Sequence, residues 1–195
     1  MLDIRLESLG GTACEPTGGL GHNEIFVAPL EDFDKIGVLK KMCDADPANV
    51  ATTIEELATI TEGHVFKAGK GFTRIKAVQD KNGIESSLIG DQKQVFENKL
   101  TVVVQGSDPT VLGALRMYKG MKPLLVLARE AGSGRVRQLG DKSYGAVLSE
   151  VTPKVASEKE GENNVTMVFS DKNVVAAPVY TGDINLQPPP KPPAT

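Results

Sequence analysis

The chain has 195 residues, enough for one domain or for one domain with extended arms. Its formal net charge of −3 argues against a protein that binds nucleic acid by neutralising phosphates. Apolar residues make up 40% of the chain, Trp is absent, and the 20 Gly and 12 Pro favour short strands and many turns over a helical bundle.

The first residues, 1–11, lack the charged and then apolar pattern of a secretory signal. No apolar run approaches the roughly 20 residues of a membrane-spanning helix. We therefore expect a protein made in the cytoplasm that has no contact with a membrane. Cys14 and Cys43 are the only cysteines, and we expect free thiols rather than a disulfide because a chain of this size needs no such cross-link.

The N-terminal part of the chain mixes strand and loop signals. Residues 2–7 alternate apolar and polar side chains and predict a short strand, whereas 8–23 is glycine-rich and predicts a loop or a flexible arm. Residues 24–30 predict a strand that stops near Pro29. In the charged segment 31–50, apolar residues at helical spacing predict a short helix that ends before Asp46-Pro47; they are Ile36, Leu39 and Met42.

From residue 52 onward the pattern favours strands. Residues 52–60 are predicted as a strand because β-branched residues flank them, although Leu57 and Ile60 also have the spacing of a helical turn. Asn82-Gly83 predicts a type I′ hairpin turn. Residues 84–106 predict a long hairpin with a polar tip. Further strands are predicted at 64–68, 72–78, 122–128, 135–139, 144–151, 164–170 and 174–180.

The clearest helix signal covers residues 109–119. Asp108 is placed to cap the helix, Pro109 suits its first position, and Gly120 is placed to end it. Apolar residues recur along one stripe at i, i+4 and i+7, which are Val111, Leu115 and Tyr118, and Leu112 lies beside them.

Together these elements predict a β-dominated α+β fold. We expect a β-sandwich or partly open barrel with one flanking helix and a long β-hairpin, formed as a single domain by residues 1–182. The proline-rich tail, 183–195, is expected to be extended.

Residues that could carry chemistry do not form a recognisable site. His22 and His64 each have only one nearby carboxylate in sequence, too few ligands for zinc, and neither cysteine lies in a CxxC pair or a nucleophile motif. The stretch 63–70 resembles a phosphate loop but has one residue too many between its glycines. Acidic residues that lack calcium-binding spacing are Asp32, Asp34, Asp44 and Asp46. We therefore predict no enzymatic activity, no cofactor and no metal.

Four residues are candidates for contacts between subunits. Phe96 and Leu100 lie just beyond the polar tip of the long hairpin, formed by residues 90–94, and are expected to anchor in a partner. Arg135 and Arg137 alternate along a strand and are expected to point the same way. A pair of arginines in this arrangement is compatible with three roles, which are a subunit interface, a solvent-exposed face and a contact with nucleic acid.

Residues 62–182 resemble tail tube and related structural proteins of tailed bacteriophages. The likeness lies in the order of the elements and in three stretches, which are HVFKAGKGFTRIKAV leading into FENKLTVVVQGSDPTVLGALR, then PLLVLAREAGSGRVRQLGDKSYGAVLSEV, then AAPVYTGDI. The resemblance implies a virion protein that forms hexameric rings. These would stack into a tube through which viral DNA passes without sequence-specific binding, and other tail proteins would be partners.

Two alternatives stay open at this point. One is another virion protein, such as a connector, a decoration protein or a baseplate component, which copy number per particle would separate from a tube protein. The other is a non-enzymatic ligand-binding β-sandwich, which needs a concave pocket with convergent polar groups.

Overall fold

A computed structural model describes residues 19–20, 24–106, 108–157 and 161–188. The strand predicted at 2–7 and most of the arm at 8–23 lie outside these residues. The described part has twelve strands, one α-helix and three short 3-10 helices, which confirms the β-dominated α+β class. The elements are β1 Glu24–Pro29, β2 Phe33–Lys35, β3 Thr59–Ile60, β4 Val65–Phe66, β5 Thr73–Lys76, β6 Gly83–Ile89, β7 Val95–Gln105, α1 Pro109–Tyr118, β8 Leu124–Arg129, β9 Val136–Leu139, β10 Val147–Val155, β11 Asn163–Asn173 and β12 Val179–Tyr180, with 3-10 helices at Leu30–Asp32, Pro47–Asn49 and Glu55–Leu57.

The strands form two main sheets that pack face to face, without a closed barrel. One sheet has six strands in the order β3-β12-β9-β8-β1-β5, and the other has four in the order β10-β11-β7-β6. A short ribbon of β2 and β4 lies outside both sheets. All pairs in the four-stranded sheet are antiparallel, and β12 with β3 is the parallel pair of the six-stranded sheet.

The six-stranded sheet is covered on both faces, which explains the continuous apolar sequences of its central strands β1 and β8. One face meets the four-stranded sheet across an aliphatic core to which Val126, Leu100 and Phe169 contribute. The opposite face lies under residues 30–72, where Phe72 joins Leu127 in a second, aromatic-rich cluster.

Helix α1 confirms the helix predicted at 109–119. The Asp108 carboxylate accepts hydrogen bonds from the backbone N–H groups of Thr110 and Val111 at 2.8 and 3.1 Å. Leu115 and Tyr118 are buried in the core between the sheets and Val111 packs against it, so these three residues form the packed face, whereas Leu112 beside them is 44% exposed.

The helix predicted within 31–50 is wrong. The segment forms β2, a 3-10 turn at Pro47–Asn49 and irregular chain between them. Gly37 shows why a helix does not form, since its N–H donates to His64 Nδ1 at 3.1 Å and is thereby committed to a tertiary bond. A Cβ at Gly37 would lie 2.0 Å from the backbone oxygen of Glu62, so this backbone contact requires glycine.

The strand predicted at 52–60 is largely replaced by the helical turn that was its alternative. Glu55–Leu57 is a 3-10 helix, and only Thr59–Ile60 is strand. The Glu56 side chain accepts from the Thr52 N–H at 2.7 Å, and Thr53 Oγ1 accepts from the Glu56 N–H at 3.3 Å. This arrangement resembles a capping box, except that the Glu56 carboxylate binds the N–H of Thr52 rather than that of Thr53, and the T-x-x-E sequence could have indicated it.

Asn82-Gly83 does not form the predicted hairpin turn. Strand β5 pairs with β1 and strand β6 pairs with β7, so residues 77–82 cross from one sheet to the other. The Asn82 side chain binds this crossover to β7, because its Oδ1 accepts from the Val103 N–H at 3.0 Å and its Nδ2 donates to the Val78 oxygen at 2.6 Å.

Parts of the predicted N-terminal arm and of the predicted C-terminal tail pack against the domain. Leu20, inside the predicted arm, is buried in the core between the sheets. At the other end, Phe72 exchanges backbone hydrogen bonds with Asn185 and Gln187 at 2.8 and 2.9 Å, and Ile184 packs on the second cluster. The domain therefore extends several residues beyond its predicted end at 182.

Candidate subunit interface

The predicted long hairpin is confirmed as β6 and β7. The strands pair from Gly83 opposite Thr101 to Ile89 opposite Val95, and residues 90–94 form the tip. Leu88 and Phe96 face each other near the tip; Leu88 is 44% exposed and Phe96 is half-buried. The end of the hairpin thus carries apolar surface that its own domain leaves partly uncovered.

The four-stranded sheet has one packed face and one solvent-facing face. Its packed face carries the core residues, and the strand register places alternate, mostly polar residues on the other face. The charges on that solvent-facing face balance, since three are acidic and three are basic. They are Glu85, Glu97 and Glu150, and Lys99, Lys154 and Lys172.

Both edges of this sheet are long strands that pair on one side only, β6 and β10. Strands β7 and β11 are the interior strands of this sheet. Strand β10 has a bulge between Leu148 and Glu150 and contains Pro153, two devices that discourage indiscriminate pairing. Strand β6 has neither and carries a single charge, Glu85, so it is the less protected edge.

Leu100 does not belong to an interface. Its side chain is 0% exposed and packs in the core between the sheets, so it cannot anchor in a partner as the sequence suggested. Position along β7 decides the difference, since Leu100 lies opposite Ile84 inside the sandwich whereas Phe96 lies near the tip. Phe96 stays a candidate.

The two predicted arginines have different surroundings. Arg137 Nε donates to Glu130 at 2.5 Å, and its Nη1 donates to the Ala177 oxygen at 3.2 Å. Burial acts to raise the pKa of Glu130, but hydrogen bonds from Ser133 and Arg137 hold that pKa below its ordinary value. Arg137 is therefore committed within its own subunit, whereas Arg135 is exposed.

Buried polar side chains hold the middle of the long hairpin to the rest of the sandwich. Asn98 on β7 is 0% exposed; its Oδ1 accepts from Ser86 Oγ at 2.6 Å and from the Ala177 N–H at 3.1 Å. Its Nδ2 donates to Asp171 Oδ1 at 2.9 Å. Sequence reasoning missed these residues because they stand at alternating positions in strands, where an Asn or Asp is usually exposed.

The same chain of bonds continues into the six-stranded sheet. Asp171 Oδ2 accepts from the Gly140 N–H at 2.8 Å, and the Gly140 oxygen accepts from Gln138 Nε2 at 2.9 Å. Gln138 Oε1 lies 3.0 Å from His64 Nε2. Gly140 has φ +86° and lies so close to the Leu124 oxygen that a Cβ would be 2.5 Å away, so glycine is required at this junction.

His64 lies in the connection between β3 and β4 and is buried, with 4% of its surface exposed. Its Nδ1 accepts the Gly37 N–H, so the ring proton lies on Nε2 and is donated to Gln138. Its ring also stacks on Tyr180 with 4.2 Å between centroids. Burial lowers the pKa of His64, because the charged ring would lose solvation and would direct a second N–H at the Gly37 N–H.

We expect this histidine to make stability depend on pH. Because its folded pKa lies below the ordinary value of 6.5, the free energy of unfolding should fall as pH falls from 6.5 toward the folded pKa. The upper limit of this slope is about 1.4 kcal/mol per pH unit, the value for one proton taken up on unfolding. Urea unfolding at a series of pH values measures it, with His64→Gln as the control from which this contribution to the slope should be missing. An unchanged slope in that variant would contradict the assignment.

A groove of 570 Å³ lies at the end of the four-stranded sheet where the hairpin tip projects. Several of its apolar side chains are strongly exposed, with Val38 at 51%, Met42 at 72% and Val174 at 70%. Lys142 and Cys43 also line it, and Cys43 is an exposed free thiol.

The described residues contain no cluster of three or more His, Cys, Asp or Glu side chains arranged to hold a metal ion. His64 uses both ring nitrogens in structural bonds. Within the same ranges, no helix has the length and apolar character needed to cross a membrane. Comparison of the chain with models of protein families, with curated proteins and with solved structures found no match.

Proposed function

We propose that this protein is a structural subunit that associates with copies of itself into head-to-tail rings, and that the rings stack to form the tail tube of a bacteriophage. The observation that carries the proposal is the four-stranded sheet, which has two long edges and a polar, charge-balanced free face. The tail tube resemblance of residues 62–182 supports the same assignment and suggests six copies per ring.

The direction of the edge strands suits such a ring. Three antiparallel pairings separate β10 from β6, so the two edges run in opposite directions. When neighbouring copies stand side by side in the same orientation, β6 of one meets β10 of the next as a further antiparallel pair. Each copy then covers one exposed edge of its neighbour, which is the usual physical advantage of ring closure.

The free face of the sheet would line the channel of the ring. This face carries three lysines and three glutamates, and Lys99 Nζ lies 3.4 Å from Glu97 Oε2. A face with no net positive charge gives the DNA backbone little to bind, which suits passage better than retention. The protein would then be a virion component made in the host cytoplasm.

Microscopy tests the proposal directly. We expect the full chain to be monomeric or weakly associated when dilute and to form rings and tubes when concentrated, because association follows mass action. Light scattering across a concentration series and negative-stain electron microscopy measure this. A chain that stays monomeric at high concentration, even with tail-assembly partners, would refute the tube. Ordered assemblies that are not tubes would favour another virion role, and a monomer that binds a small molecule would favour a ligand-binding sandwich.

A charge exchange tests the edge pairing. When Ile89 of one copy pairs opposite Val147 of the next, Glu85 lies opposite Thr152, and Lys154 is its diagonal neighbour on the free face. We expect Glu85→Lys or Lys154→Glu alone to weaken assembly by up to about 1 kcal/mol per contact, since like charges would then be diagonal neighbours. The double variant should recover most of the loss.

The concentration at which light scattering rises measures these effects, and Lys172→Glu, on the same face but on an interior strand, is the control. Additive losses in the double variant would contradict the pairing of β6 with β10.

A further inference from the structure

The groove and the hairpin tip lie at the same end of the four-stranded sheet. Asn173, Val174 and Val175 line the groove, and Asn173 pairs with Phe96 at the base of the tip. Lys142 and Ser143 form another part of the groove and precede β10, which begins at Val147.

Edge pairing between neighbours would bring these two features together. When β6 of one copy runs beside β10 of the next, the Ile89 end of β6 lies beside the Val147 end of β10. The tip that follows Ile89 then reaches the Lys142–Ser143 side of the neighbour's groove. The apolar side chains exposed around the tip and in the groove provide surface to bury. The groove is lined by Lys40, Lys41, Lys142 and Asp141 and is net positive, and the tip carries Asp91 beside Lys93 as its acidic group.

We propose that the groove between residues 37–43 and the 141–143 and 173–175 segments is the docking site for the end of the hairpin, residues 88–96, of a second copy of this chain. This inference rests on the proposed ring, and it assigns to the ring a contact separate from the strand pairing. Strand pairing uses backbone groups and is tolerant of register, whereas insertion of Leu88 and Phe96 into an apolar groove would fix one register.

The exposed native thiol of Cys43 provides the test. One full-length chain carries Gln92→Cys, Cys14→Ser and Cys43→Ser; its partner carries Cys14→Ser alone and keeps Cys43. When the two chains are mixed at assembling concentration with oxidised glutathione, a disulfide between them can form only between copies. We expect the heterodimer to form at least about tenfold faster than in a control mixture, because docking raises the effective concentration of the two thiols.

The control mixture replaces Gln92→Cys by Val155→Cys, which is 69% exposed but lies at the opposite end of the sheet. Tubes that form without the tip-to-groove disulfide would overturn this inference and leave the proposed function standing. Light scattering that shows no assembly would overturn both. Equal rates with Gln92→Cys and Val155→Cys would also overturn it, because the disulfide would then reflect random collision.

Discussion

Replacing Leu88 or Phe96 by Asp is expected to abolish assembly while leaving a folded monomer. Both residues lie near the tip of the hairpin, where their own domain covers them only in part. A carboxylate at either position would have to be buried without a partner in the assembled state, at a cost of several kcal/mol per contact. In the monomer the same carboxylate stays close to solvent. Sedimentation and electron microscopy measure assembly, and circular dichroism measures the fold.

Leu112 provides a matched control for this experiment. It is also 44% exposed, but it lies on α1, which follows the Gln105 end of β7, the end opposite the tip. Leu112→Asp should therefore assemble normally, and Phe96→Leu should retain most assembly because it keeps an apolar side chain. If Leu88→Asp and Phe96→Asp assemble as well as Leu112→Asp does, the hairpin tip is not part of an interface.

Replacing Asp171 by Ala is expected to be strongly destabilising. The Asp171 side chain is buried and accepts hydrogen bonds from the Gly140 N–H and from Asn98 Nδ2. Its removal leaves two buried donors without acceptors, which we expect to lower the free energy of unfolding by about 3 kcal/mol. Asp171→Asn keeps one acceptor oxygen and should cost less. Urea unfolding measures both variants, with Asp91→Ala in the exposed hairpin tip as the control, expected within about 0.5 kcal/mol of the parent.

The Asp171 carboxyl group should also make the free energy of unfolding depend on pH. Burial raises the pKa of Asp171, against the opposing hydrogen bonds from Gly140 and Asn98. Because the folded pKa then lies above the ordinary value of 3.8, the native state gains stability from this group as pH falls from the folded pKa toward 3.8. Asp171→Asn should lack this gain. A loss of under about 1 kcal/mol for Asp171→Ala would show that the buried chain of bonds contributes little to stability.

Local patterns predicted the elements that depend on neighbouring residues. Helix α1 follows from Asp108, Pro109 and an apolar stripe, all within one stretch of chain. The hairpin of β6 and β7 follows from two alternating runs joined by a polar tip. The candidate interface was predicted in part, because Phe96 lies at the uncovered end of that hairpin.

The sequence by itself determined a β-dominated chain with one capped helix and one long hairpin, since hydrogen-bond capping and alternation act between residues close in sequence. Only the tertiary structure decided which strands are edges, because β6 and β10 become edges through pairings between segments far apart in the chain. It likewise decided that Leu100 is core, and it drew His64 into a buried hydrogen-bond chain. Asn82-Gly83 does not form the predicted hairpin turn for the same physical reason. The strands on either side of it, β5 and β6, pair with β1 and β7 in separate sheets rather than with each other.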